Sequence, residues 1–108
     1  GQEIERVACP PFLDDLKGQS FAIYIVNDSM EPRFYAREIA YIHAHTPAAR
    51  GSYVVVELTD NRAVVKRLVS VSEKKVVVEQ LNPKEEITYD RKIVKAIWTI
   101  VGSAMNPE

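Results

Sequence analysis

The sequence is poor in the features that would assign it quickly. It has one cysteine, Cys9, so no intrachain disulfide can form, and the composition fits a reducing compartment. No apolar run approaches the ~20 residues that a membrane-spanning helix needs, and no charged-then-apolar leader opens the sequence as given. A cytoplasmic protein with no membrane partner is therefore expected. Lysine and arginine nearly balance aspartate and glutamate, 14 against 15, and no basic run stands out. Gripping a nucleic-acid backbone needs clustered cations, so this stretch alone is not expected to hold DNA or RNA. Internal repeats and low-complexity segments are absent too. What remains is 108 residues, 46% apolar and 27% charged, the profile of one globular domain with a single modest core.

Residues 1–20 read as an irregular lead-in, because Cys9-Pro10-Pro11 lacks two consecutive N–H groups and cannot sit inside a helix or a central strand. Pro11 could open a short helix through Leu16, closed by Gly18. From Phe21 onward the apolar period is two. Phe21–Val26 is apolar on both faces and is expected to be a central strand; further strands are expected at Ile39–His45, Ser52–Thr59, Arg62–Ser70, Lys75–Leu81, Glu86–Tyr89 and Ile93–Val101. Asp60-Asn61 suits a two-residue hairpin turn, Ser72-Glu73-Lys74 a second turn, and Asn82-Pro83 breaks a strand. Strands with tight turns and almost no helix define a mainly β, antiparallel domain over 21–102, followed by a short tail, 103–108.

One polar stretch interrupts this scaffold: Asn27-Asp28-Ser29-Met30-Glu31-Pro32, a turn that presents a serine just after an apolar strand. Later, in Val64-Val65-Lys66-Arg67-Leu68-Val69, alternation puts Val64, Lys66 and Leu68 on one face of a strand. A lysine held among valines and leucines loses hydration, which disfavours its charged form and lowers its pKa from about 10.4. A neutral amine can take the proton of a serine hydroxyl, the requirement for a Ser-Lys dyad. Backbone N–H groups near Ser29 are the natural oxyanion donors. Each residue also has an ordinary reading. Serine after aspartate is a common turn residue, and lysine on a half-apolar strand commonly extends its amine to water.

The spacing then becomes recognisable. Asp28-Ser29-Met30-Glu31-Pro32-Arg33 resembles the Ser-Met-x-Pro signature of the LexA and phage-repressor self-cleaving family, and Val65-Lys66-Arg67-Leu68 resembles its Val-Lys-Arg-Leu strand. The two lie 37 positions apart, within the family's interval. Gly51 with Tyr53-Val54-Val55-Val56 is similar to the family's Gly-x-x-Val-Val-Val strand, and Gln80-Leu81-Asn82-Pro83 to its Leu-x-x-Asn-Pro turn. Four motifs in order span roughly residues 20–102.

The resemblance implies a LexA/signal-peptidase-like β domain that forms a homodimer and cuts the linker to an N-terminal helix-turn-helix domain. A RecA filament would stimulate the cut, and DNA would be bound only through that other domain. It assigns Ser29 as nucleophile, Lys66 as general base, the amides of Asp28 and Ser29 as oxyanion donors, and Met30 and Pro32 as shapers of the turn, with neither cofactor nor metal. Two departures stand out. The family's Gly-Asp after the serine is replaced by Arg37-Glu38, and no Ala-Gly or Cys-Gly pair offers a scissile bond. Gly1, 28 positions before Ser29, reads as an arbitrary starting point in preference to a cleavage product. The alternatives are a non-cleaving dimerisation and effector-sensing module of a repressor, or a UmuD-like polymerase accessory subunit. A signal peptidase is disfavoured, since no membrane anchor is visible.

Other residues carry weaker signals. His43 and His45 share a strand face but have no evident third metal ligand. Cys9 has no accompanying histidine motif. Trp98 lies on a face with Val94, Ala96 and Ile100 and is expected in the core or at a dimer surface. Lys74-Lys75 and Glu85-Glu86 read as solvated turn charges.

Overall fold

The computed structural model describes residues 20–105 and the backbone of Arg6–Val7. The strands are β1 (Arg6–Val7), β2 (Ser20–Tyr24), β3 (Glu38–His43), β4 (Tyr53–Leu58), β5 (Ala63–Val71), β6 (Lys75–Leu81), β7 (Lys84–Asp90) and β8 (Val94–Met105). They form one sheet in the order β1-β2-β3-β8-β4-β5-β6-β7, with antiparallel pairing throughout. The mainly antiparallel β class expected from the period-two pattern is the class observed. The helical element among the described residues is a single 3-10 turn, Arg91–Ile93, whose entry is capped by the Asp90 side chain.

Continuous valine runs explain why β4 and β5 lie inside the sheet. Both faces of each are covered, so alternation sends neighbouring residues into different cores. Val55 and Val65 join Ile23, Ile25, Met30, Phe34, Ile42 and Ile100 in one cluster. Val54, Val56, Val64 and Leu68 join Leu58, Val76, Val78 and Val94 in the other. The expected single core is thus two, divided by the sheet.

Several local expectations need correction. The Phe21–Val26 segment is not central: β2 stops at Tyr24 and only β1 lies outside it. Its two-sided apolarity is still used, since Ala22 and Ile23, on opposite faces, are both fully buried. The β4–β5 turn is a three-residue loop in place of Asp60-Asn61 alone. Asn61 N–H donates to Leu58 O, Leu58 N–H donates to Arg62 O, and Asn61 takes a left-handed φ of 70°, the form in which a type I turn is followed by a bulge residue. Asn82-Pro83 does more than break a strand. It is the two-residue tip of a hairpin, with Leu81 opposite Lys84, and β7 is correspondingly longer than Glu86–Tyr89. Strand β8 runs on to Met105, into what the pattern marks as tail. Cys9 and the short helix expected at 11–16 lie outside the described residues.

Candidate active-site cleft

After β2 the chain leaves the sheet and returns at β3 through a loop that is anchored at several points. Ile25 N–H donates to Glu38 O at 2.9 Å, and Arg37 N–H donates to Ile25 O. Met30 and Phe34 enter the first core almost completely, where Phe34 meets Tyr53 edge-on with ring centroids 5.4 Å apart. The Arg33 guanidinium lies 4.2 Å from the Phe34 ring centroid. Met30 thus fixes this loop to the core, and Glu31-Pro32 is a cis peptide.

The Arg37-Glu38 departure is accommodated. Arg37 itself takes the left-handed conformation, φ 77°, that glycine would adopt freely. Glu38 is buried and closes the turn, accepting the Tyr35 N–H on Oε1 at 2.9 Å.

Ser29 is held from the other side by the β6–β7 hairpin. Its carbonyl accepts N–H groups from Leu81 at 3.2 Å and Asn82 at 2.8 Å. The Asn82 side chain adds a third tie, donating Nδ2 to Asp28 O at 3.0 Å. Asn82 thus positions the serine loop from 53 residues further along the chain. Its place in the Leu-x-x-Asn-Pro motif was the available signal, though its side-chain role was not legible there.

Lys66 reaches the same place from β5. Its amine lies 3.5 Å from Ser29 Oγ, at the long end of hydrogen-bond range, and the residue is only 3% exposed. Burial lowers its pKa from 10.5, and the smaller, opposing influence is the negative charge of Glu85, which favours the protonated amine. Lys66 and Ser29 share an open cleft of about 460 Å³. Asn27 and Asp28 line it from the serine loop, Arg62 and Val64 from the start of β5, and Gln80, Asn82, Pro83, Ile87 and Tyr89 from the hairpin. Burial raises the Tyr89 hydroxyl pKa, partly offset by the Arg62 cation. Arg62 is steadied by Asp60, whose carboxylate accepts both its backbone N–H at 3.0 Å and its Nε at 2.7 Å.

The expected oxyanion donors are arranged less simply. The Ser29 N–H donates to the side-chain oxygen of Asn27 at 3.0 Å, a contact the sequence reading missed. An Asn two residues before the serine, in a turn, was the signal for it.

The remaining candidates stand apart from the cleft. His43 Nδ1 pairs with Thr46 Oγ1 at 2.7 Å, and the His43 and His45 rings are 6.0 Å apart; His45 lies beyond the end of β3. No group of three metal-ligating side chains occurs among the described residues. Trp98 packs against the first core, edge-on to Phe21, and donates its indole N–H to Glu57. No helix among the described residues is long and apolar enough to cross a membrane.

The antiparallel sheet thus brings a buried lysine amine beside a loop serine hydroxyl in one cleft. Residues 2–105 match the family model described as Peptidase S24-like, and the chain belongs to that family. It is also similar to Repressor protein C of Rhizobium phage 16-3, with 33% identity over 109 residues, covering 94% of this chain and 41% of that protein. The chain thus spans about two fifths of the length of the curated relative it matches.

Proposed function

We propose that this chain is the C-terminal regulatory domain of a phage-type or SOS-response repressor. It dimerises and, when stimulated by a RecA filament, cuts its own linker with Ser29 and Lys66. The observation that carries this reading is the buried Lys66 amine 3.5 Å from the Ser29 hydroxyl in one open cleft. In its neutral form Lys66 takes the Ser29 proton as Oγ attacks the scissile carbonyl carbon. The tetrahedral oxyanion collapses, the C–N bond breaks, and the lysine ammonium returns the proton to the leaving amine. Water then releases the acyl group from Ser29. Membership of the Peptidase S24-like family and likeness to a phage repressor agree with this reading. DNA would be held by a helix-turn-helix domain outside this sequence, and the exposed Val101 and Met105 on β8 suit a homodimer contact.

In the full-length protein incubated at alkaline pH, we expect self-cleavage that Ser29→Ala and Lys66→Ala each abolish. Cleavage persisting in both variants contradicts the dyad. A second reading, a non-cleaving dimerisation and effector-sensing module, draws on the Ser29 N–H being already engaged by Asn27. Full-length protein that stays intact with active RecA and at high pH, yet dimerises and represses, selects that reading.

A further inference from the structure

We propose that Asn27 caps the oxyanion-donating N–H of Ser29 in the resting domain, so that a substrate carbonyl must displace its side chain before bond cleavage can proceed. The inference rests on Ser29 being the nucleophile. The peptide unit between Asp28 and Ser29 is held at both ends. Its carbonyl accepts Asn82 Nδ2 at 3.0 Å and the Glu31 N–H at 3.2 Å, and its N–H donates to Asn27 Oδ1 at 3.0 Å. A trans amide directs its C=O and N–H to opposite sides. Asn82 and the Glu31 N–H therefore set the direction of the Ser29 N–H together, and Asn27 meets it from the other side.

An oxyanion hole needs a donor 2.7–3.1 Å from the developing anionic oxygen. Asn27 already holds an sp² amide oxygen at that separation, and Asn27 and Ser29 both line the cleft. The amide oxygen of Asn27 thus stands in for the carbonyl oxygen of a substrate. Rotation of the Asn27 side chain releases the N–H, whereas turning the peptide itself would break its ties to Asn82 and Glu31. The device slows cleavage in the resting state and leaves the dyad untouched.

An Asn side chain bonded to the N–H two residues on is also a common turn former, so the test has to separate capping from turn building. Self-cleavage of the full-length protein is followed at one alkaline pH. Asn27→Ala uncovers the N–H, and we expect cleavage about fivefold faster, the effect of no longer displacing one neutral hydrogen bond. Asn27→Asp keeps the turn but presents a carboxylate, which binds the N–H more tightly and repels the oxyanion; we expect cleavage at least about tenfold slower. Amide hydrogen exchange at Ser29 is expected to speed up in Asn27→Ala, independently of cleavage. A turn-building role predicts the reverse order, with Asn27→Asp close to wild type and Asn27→Ala slower. That order, or unchanged Ser29 exchange in Asn27→Ala, overturns the proposal. Ser29→Ala distinguishes the two levels. If it still cleaves, the dyad reading fails; if it is inert and the Asn27 order is reversed, only the capping inference fails.

Discussion

Lys66 carries an amine between Val64 and Leu68 on a strand face that otherwise builds the second core, and its energetics follow from that placement. Its folded-state pKa lies below the ordinary 10.5 because burial disfavours the charged form. The unfolded chain therefore binds more protons at this site between the two pKa values. Stability rises with pH across that window, and the cost of burying the cation is greatest below the folded-state pKa. Lys66→Met, which keeps the volume and removes the charge, should raise the melting temperature near neutral pH. That gain should shrink through the alkaline range and be smallest above 10.5, where lysine is neutral in both states. A thermal melt series of the two proteins checks this; a gain constant across pH counts against a strained amine. At this scale the sequence was informative, because alternation alone sets Lys66 among apolar neighbours. It was silent about the role of the Asn82 side chain, whose hydrogen bond depends on how a loop and a distant hairpin meet, and it carried the Asn27 contact only as a local turn signal. Arg37 shows the limit of motif reading. The glycine is lost but the left-handed turn is kept, at a cost of about 1–2 kcal/mol for a residue with a Cβ.

At the scale of elements, the β6–β7 hairpin both supports the serine loop and walls the cleft. Register places Glu85 opposite Gln80, and alternation puts it on the same face of β7 as Ile87 and Tyr89. It is therefore a cleft-side charge as well as a solvated one. Around Lys66 the other charged or titratable groups of the cleft are Asp28 on the loop, Arg62 on the β5 approach and Tyr89 on β7. Because Glu85 favours the protonated lysine, Glu85→Gln should move the rise of cleavage rate with pH to lower pH while leaving the plateau rate in place. A pH–rate series on the variant tests this, and a profile displaced to higher pH contradicts it. The strands themselves were legible to within a few residues, since each valine-rich run has a clear period. Hairpin details were less so. The three-residue β4–β5 loop depends on Asn61 adopting a positive φ, which composition permits but does not demand. The near-edge place of β2 reflects sheet order, a non-local property.

Considered as a whole molecule, the fold brings together groups that the sequence keeps far apart. The sheet order sets β8 between β3 and β4, so the last strand joins the two parts of the sheet and contributes Ile100 to one core and Val94 to the other. The serine loop is tied to the first core through Met30, while the lysine strand face belongs to the second. The cleft forms where these two bodies of packing meet. The proximity of Ser29 and Lys66 agrees with two separated motifs at family spacing, whereas the cleft walls were not legible, because they come from the register of a hairpin. The central claim is that a buried, neutral Lys66 activates Ser29, and the pH dependence of self-cleavage tests it most directly. For full-length wild-type protein we expect the rate to rise with pH to a plateau, with a midpoint below 10.5, and to be absent in Lys66→Ala. A rate independent of pH, or a Lys66→Ala protein that keeps the same profile, would contradict it.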